Sequence, residues 1–330
     1  MDVYPDGFIG MVMASEGISD GTTLLHGPDG CRKNLTVLSS KCYPRPSPDI
    51  DMSTPFYRGM SRIPCTGVES NDYIFGSYQK IKDALEFLKG RSRGFITIIS
   101  TPGASLIGDD SEKAVYECGM DDLAVAIKND PISLPLGYGY DLAMSRIVSK
   151  LVCPPCERRY RRVNVLGASI LLKDWSTIVE EFTHLLDLMG LEVGCFLGAG
   201  CTVQEIRDSG SAEFNIVLLP EYAEETAELY QSEYGVKKIS PGFAPVGFDR
   251  TEKWLRYVAE AACCDCSEAL VYVRRVRSRA YRGLTACRCD LRGQSFVLKA
   301  EASVAYPLTE WLITAFSLVP DSITLHPGSS

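Results

Sequence analysis

The sequence has no apolar run that could cross a membrane. None approaches the roughly 18 residues of a spanning helix, which argues against an integral membrane protein. Residues 1–6 are acidic, and no basic region precedes an apolar one, so we expect no signal peptide. The formal net charge of −8 argues against nucleic acid as the main partner.

Two familiar site motifs are incomplete. Cys153-Pro154-Pro155-Cys156 follows a predicted helix in a basic linker, and no second Cys-x-x-Cys stands at zinc-finger spacing. Gly198-Ala199-Gly200 lacks the third glycine of the dinucleotide fingerprint, and no acidic residue follows at the required distance. We interpret the first motif as a linker and the second as a turn.

The composition is that of an ordinary water-soluble chain. Of 330 residues, 45% are apolar and 23% are charged, and the length suffices for two or three α/β domains with separate cores. Thirteen cysteines without a secretion signal indicate a reducing cytoplasm, where thiols bind metals or lie in cores.

Strands alternate with helices along most of the chain, which predicts an α/β fold of repeated Rossmann-like domains with parallel sheets flanked by helices. We predict a first domain over 1–160, a second over 161–265, and a short or truncated third over 266–330. Loop signals include a proline-rich stretch at Pro44, Pro46 and Pro48 and a glycine loop at Gly137 and Gly139 before a helix over 142–151. Ser267 is the predicted N-cap of an arginine-rich helix over 267–282.

The stretch from Leu24 to Cys31 carries the main candidate site. A short apolar strand stops at His26-Gly27-Pro28-Asp29-Gly30-Cys31, so its last side chains reach the edge of a parallel sheet, where ligands collect. The polar residues after Cys31 would favour a thiolate, the form that binds metal. A buried structural cysteine after a tight turn is an equally good interpretation.

Three segments in order resemble nitrogenase component 1 proteins and their relatives, which include the light-independent protochlorophyllide and chlorophyllide reductases and cofactor-assembly scaffolds. The first is the cluster-binding signature at 26–31. The second is residues 69–77, similar to Glu-x-Asp-x-Val-Phe-Gly-Gly. The third is a strand at 98–101 followed by Ile-Gly-Asp-Asp within 106–110. Weaker matches extend the resemblance to nearly the whole chain, at 164–167, 245–251 and 291–294.

The resemblance implies an iron–sulfur cluster at a subunit interface, with Cys31 as the middle ligand. Asp6 stands near the place of the first ligand, where an N-cap role is the alternative. The third place falls on Pro102, which cannot bind iron, and Cys65 is then the nearest remaining thiol. His26, Gly27 and Gly30 belong to the cluster-binding turn; His26 either holds the loop or hydrogen-bonds near the cluster.

The resemblance further implies a subunit that takes electrons from an ATP-hydrolysing iron protein and passes them to a bound substrate. A [4Fe-4S] cluster could be completed by Cys31 and one other ligand from each subunit of a homodimer or of a pair with a paralogous subunit. Residues 219–222 lack the cysteine that binds the nitrogenase cofactor, so we expect a substrate other than dinitrogen, such as a tetrapyrrole. A cofactor-assembly scaffold without turnover and a metal-free degenerate subunit are the alternatives.

Overall fold

The computed structural model describes residues 6–42, 56–57, 60–61, 63–92, 94–128, 134–154 and 157–326. The proline-rich stretch at Pro44, Pro46 and Pro48, and Cys156, lie outside these residues. The chain divides into two compact units. The first comprises Met1–Cys153, Ser169–Ser176 and Leu197–Ser209, and the second comprises Pro154–Ala168, Thr177–Phe196 and Gly210–Ser330. The three-domain division expected from the sequence stays a prediction.

Helices and strands alternate over much of the described residues, with short runs of consecutive helices. Up to residue 151 the elements are α1 (Gly7–Glu16), β1 (Thr22–His26), α2 (Asp29–Cys42), β2 (Phe56–Tyr57), β3 (Met60–Ser61), α3 (Asp72–Phe75), α4 (Tyr78–Leu88), β4 (Ile96–Ser100), α5 (Pro102–Ser105), α6 (Ser111–Glu117), β5 (Ala124–Ile127) and α7 (Leu136–Leu151). They continue as β6 (Arg159–Leu166), α8 (Trp175–Asp187), β7 (Glu192–Phe196), α9 (Val203–Asp208), β8 (Ala212–Val217), α10 (Glu224–Glu233), β9 (Lys237–Ile239), α11 (Phe248–Ala261), α12 (Ser267–Gly283), α13 (Thr285–Leu291), β10 (Ser295–Ala300), α14 (Ala302–Phe316) and β11 (Val319–Leu325).

A parallel sheet in the order β1-β4-β5 organises the first unit. Side chains on one face, including Leu24 and Ile98, form a buried core with α4 and α6. The alternation of side chains along a strand sends Thr23 to the opposite face, where its hydroxyl donates to Glu16 of α1. Helices therefore cover both faces, as in other parallel sheets.

An extended segment continues this sheet on the free side of β1. The backbone nitrogen of Leu25 donates to the carbonyl of Pro64, and that of Thr66 donates to the carbonyl of Leu25, at 2.9 and 3.0 Å. One step further, Val68 donates to the carbonyl of Gly27 at 3.0 Å. The carboxyl end of β1 is thus enclosed between β4 and residues 63–68.

The predicted glycine loop at Gly137 and Gly139 is wrong, because both residues lie inside α7. Helices α1 and α7 approach so closely that a Cβ on Gly139 would lie 2.0 Å from the carbonyl oxygen of Gly7. A Cβ on Gly10 would lie 2.1 Å from the carbonyl oxygen of Leu136. These glycines serve helix packing, where the absence of a side chain outweighs their low helix propensity.

The second unit contains a parallel sheet in the order β7-β6-β8-β9 and a separate parallel pair, β10-β11. The Phe182 ring of α8 meets the fully buried Trp254 of α11 edge to face, at 5.4 Å between centroids. The predicted N-cap of α12 is wrong by one residue: Cys266 occupies that position, and Ser267 donates from its nitrogen and hydroxyl to Asp265. The α/β fold with parallel sheets is confirmed.

No helix among the described residues combines the length and the hydropathy that a membrane crossing requires.

Candidate functional site

Three loops meet at the carboxyl edge of β1 and β4 around His26, whose side chain is 1% exposed. Its Nε2 lies 3.5 Å from Oδ2 of Asp109 and 3.4 Å from Oγ of Ser77. Its Nδ1 lies 3.0 Å from Oγ1 of Thr66. His26, Ser77 and Asp109 each come from a different one of the three sequence motifs, so the motifs form one site.

A neutral His26 with its proton on Nε2 satisfies these hydrogen bonds. The Thr66 hydroxyl then donates to Nδ1, while its oxygen accepts from the backbone nitrogen of Gly27 at 3.1 Å. Burial lowers the pKa of His26 below its usual 6.5, although the nearby Asp109 carboxylate acts in the opposite direction. The ring is therefore neutral at pH 7 and links the loops as a structural element.

The second loop is fixed by Asp72 at the start of α3. Its carboxylate accepts from Lys80 at 2.7 Å and from the backbone nitrogen of Glu69 at 2.6 Å. These hydrogen bonds, the one from Lys80 first, lower the pKa of Asp72. Lys80 also donates to the carbonyl of Gly67 at 2.9 Å, which ties the loop to α4.

Cys31 lies in the first turn of α2 and is half-buried. Its Sγ has no hydrogen-bond partner in the described part of the chain. Gly27 is required by packing, because a Cβ there would lie 2.4 Å from Cγ2 of Thr101. Gly30 is different: a Cβ there would meet no atom within 4 Å, and its φ is not positive. Nothing among the described residues therefore requires a glycine at position 30. Close approach of a group from outside the chain would require one.

Cys65 lies close to Asp29, the first residue of α2. Its Sγ is 4.0 Å from Oδ1 of Asp29, which also accepts from Nε of Arg32 at 2.6 Å. Burial raises the pKa of the Cys65 thiol, and hydrogen bonds from Arg32 and Lys33 lower the pKa of Asp29 to about 2. Cys65 lines a cavity of about 530 Å³ whose wall includes Phe87.

The two remaining predicted ligand places also have structural roles. Asp6 caps α1, where its Oδ1 accepts from the backbone nitrogen of Ile9 at 3.2 Å. Pro102 is the first residue of α5, which Thr101 caps through a hydrogen bond from Ala104. A proline at a first helical position is favoured, since its missing N–H is not needed there.

One copy of the chain does not assemble a metal site from the predicted ligands. No group of three or more His, Cys, Asp or Glu side chains within the described ranges is arranged to hold a metal ion. The turn residues His26 and Gly27 do come together with Thr66, Ser77 and Asp109. Sequence reasoning did not assign roles to these three partners, although Ser77 and Asp109 stood within the quoted motifs; Thr66 had no recognisable signal.

An apolar patch lies beside the site. Ile74 and Phe75 of α3 are 76% and 85% exposed, and Leu106 at the end of α5 is 79% exposed. The two helices are close, because a Cβ on Gly103 would lie 3.3 Å from the hydroxyl of Tyr73. Large exposed apolar residues in one place are typical of a protein-contact surface.

The family model of nitrogenase component 1 type oxidoreductases matches residues 7–315. The chain belongs to this family. Among curated members, one chain of the light-independent protochlorophyllide reductase of Halorhodospira halophila is 27% identical over 186 residues, covering 51% of this chain and 35% of the relative. The nitrogenase molybdenum-iron protein alpha chain of Clostridium pasteurianum is 24% identical over 266 residues, covering 78% and 46% respectively.

This component 1 chain spans between about a third and about half of the length of those curated relatives. Its fold matches the solved structure of nitrogenase Cp1 at pH 6.5 with a TM-score of 0.76 at 19% identity, over 99% of this chain and 63% of that one. The family membership expected from the three motifs is therefore confirmed, and the structural match confirms the fold.

Proposed function

We propose that this chain is a nitrogenase-like component 1 subunit in which Cys31 helps to hold an iron–sulfur cluster between two subunits. The observation that carries the proposal is the junction at His26, which fixes the three family motifs around the turn that presents Cys31. The substrate would be a poorly reducible molecule other than dinitrogen, with a tetrapyrrole as one candidate. The reducing cytoplasm is the expected compartment.

The donor set suits iron only if two subunits share it. Thiolates are the usual ligands of iron–sulfur clusters, and a carboxylate such as Asp6 would be a harder ligand that shifts the potential. Within one chain, Cys31 is the best placed of the predicted donors, since Asp6 caps a helix and Cys65 faces Asp29 and Arg32. A bound cluster would supply one-electron transfer. The chain's own part is to hold the turn rigid through His26, Thr66 and Asp109.

The apolar patch formed by Tyr73, Ile74, Phe75 and Leu106 supports a protein partner at this edge. We assign it to an iron-protein-like ATPase reductase, because an electron donor must come close to the turn that carries Cys31. Phe75→Ala should weaken binding of such a reductase while the folded chain persists, since the ring is 85% exposed. Unchanged affinity would remove the patch from the proposal.

A non-catalytic assembly scaffold is the second candidate. Residues 219–222, which lack the cysteine that binds the nitrogenase cofactor, favour it. Pro102 at a ligand place favours the third alternative, a metal-free subunit paired with a ligand-complete paralogue. The experiment is to mix the anaerobically purified protein with an iron protein and MgATP and to follow reduction of protochlorophyllide. Coupling of ATP hydrolysis to substrate reduction supports the enzyme, whereas a stable iron content without turnover supports the scaffold.

A further inference from the structure

A groove in the second unit lies between α8 and α12 and has a volume of about 550 Å³. We call it the α8–α12 groove; its principal lining residues are His184, Leu188, Glu268, Val271, Tyr272 and Arg275. The Tyr272 ring packs edge to face on His184, at 4.7 Å between centroids, and its hydroxyl donates to Glu181 at 3.3 Å. Val271 is 55% exposed, so the groove offers open apolar surface.

A row of arginines continues from the groove along α12. Arg275, Arg279 and Arg282 are exposed and stand at i, i+4 and i+7, which places them on one face of the helix. No carboxylate of the described residues forms an ion pair with any of the three. By contrast, Arg274 and Arg277, on another side of α12, pair with Glu252 and Asp249 at 3.8 and 2.7 Å.

This row opposes the general charge of the molecule, because the chain carries a formal net charge of −8. The row is roughly 10 Å long, since an α-helix rises 1.5 Å per residue. At the other end of the groove stands Glu268, about two turns before Arg275. A ligand along α12 therefore meets positive charge at the carboxyl-terminal end, apolar surface at Val271 and Leu188, and negative charge at the amino-terminal end.

We propose that the α8–α12 groove and the arginine row form a docking site for an acidic, amphipathic segment of another protein. An apolar side chain of the segment enters the groove beside Val271, and its carboxylates lie over Arg275, Arg279 and Arg282. Charge complementarity selects this occupant, and the apolar groove and Glu268 make the surface a poor match for the uniform charge of a nucleic-acid backbone. The site does not depend on whether the chain binds a cluster.

The test uses the full chain and a fluorescein-labelled synthetic helix of 14 residues with leucines on one face and glutamates elsewhere. Fluorescence anisotropy should show saturable binding that weakens as NaCl rises from 50 to 500 mM. The same helix with lysine in place of glutamate should not bind. Arg275→Gln combined with Arg279→Gln should weaken binding at least about threefold, as expected for the loss of two exposed ion pairs.

The matched control combines Arg274→Gln with Arg277→Gln, which removes the same charge from another side of α12, and should change the affinity less than about twofold. Val271→Asp should abolish binding, and Glu268→Gln should strengthen it, because both act inside the groove. Equal binding of the two helices, equal effects of the two double variants, or preferential binding of an RNA oligonucleotide or of phosphatidylserine vesicles would overturn the proposal. Circular dichroism confirms that each variant is folded.

Discussion

Asp109 accepts two hydrogen bonds from Ser77, one from the backbone nitrogen at 2.9 Å and one from the hydroxyl at 2.6 Å. The two residues are 32 positions apart and come from different motifs. The same carboxylate oxygen faces Nε2 of His26 at 3.5 Å. One nearly buried oxygen thus joins the three loops at the edge of the first sheet.

Asp109→Ala should destabilise the chain by about 2–3 kcal/mol, because it leaves a buried hydroxyl and a buried ring nitrogen without their acceptor. Asp122→Ala, at an exposed turn position, should change the free energy of unfolding by less than about 0.5 kcal/mol. Urea denaturation of both variants measures the difference. Similar stability of the two would show that Asp109 does not hold the loops.

The buried His26 should make stability depend on pH. Its pKa is lowered in the folded chain, so below the ordinary value of 6.5 the unfolded chain binds the proton more readily than the folded one does. The free energy of unfolding should therefore fall as the pH drops from 7 to 5. His26→Gln should remove part of that fall. A pH profile of the His26 variant parallel to that of the wild type would contradict this assignment.

The glycines of α7 give a test of the first unit's packing. Gly139→Ala should destabilise by at least about 2 kcal/mol, since the added methyl would lie 2.0 Å from a carbonyl oxygen of α1. Gly283→Ala, at the end of α12, meets no atom within 4 Å and should leave stability unchanged or raise it by up to about 1 kcal/mol. Thermal denaturation of the two variants separates steric conflict from helix propensity. Equal melting temperatures would refute the close approach of α1 and α7.

A substitution at Gly30 separates an effect on folding from an effect on cluster binding and subunit assembly. Gly30→Ala should leave the melting temperature at or above that of the wild type, because a Cβ there meets nothing within 4 Å. If an outside group comes close beside Cys31, the same variant should lose iron or subunit association. Iron analysis and analytical ultracentrifugation measure both, with Gly283→Ala as the control. Wild-type iron content and wild-type association in Gly30→Ala would place that group elsewhere.

The strand at 22–26 and the alternation of strands and helices were predictable, because a short apolar run ending in glycines is a local signal. Helix α2 was not predicted, and it places Gly30 and Cys31 in its first turn rather than in a loop. The contacts of His26 were not predictable, since Thr66, Ser77 and Asp109 are far from it along the chain and only folding brings them together. The prediction at Gly137 and Gly139 was wrong because two close glycines locally indicate a loop. Their position inside α7 is explained only by the close contact of that helix with α1. Helix α11 was not predicted either, because residues 245–251 were interpreted only as a match to the family and not for helical spacing.

The candidate ligands show the same difference between local sequence signals and contacts that form only on folding. The sequence located the turn that carries Cys31, because glycines and a thiol at fixed spacing are readable without a structure. It left Asp6 open between ligand and N-cap, and the hydrogen bond from Ile9 gives that carboxylate a capping role in the single chain. Which donors a second subunit adds depends on an interface, which no pattern within one chain specifies.

The central claim is that Cys31 binds iron between subunits, and iron analysis of one cysteine variant tests it most directly. The chain is purified without oxygen, iron and sulfide are measured per subunit, and an EPR spectrum is recorded after reduction. Cys31→Ala should lose at least about half of the iron and change the spectrum, while Cys153→Ala, which removes an exposed thiol, should retain both. An iron content and a spectrum in Cys31→Ala equal to those of the wild type would contradict the account.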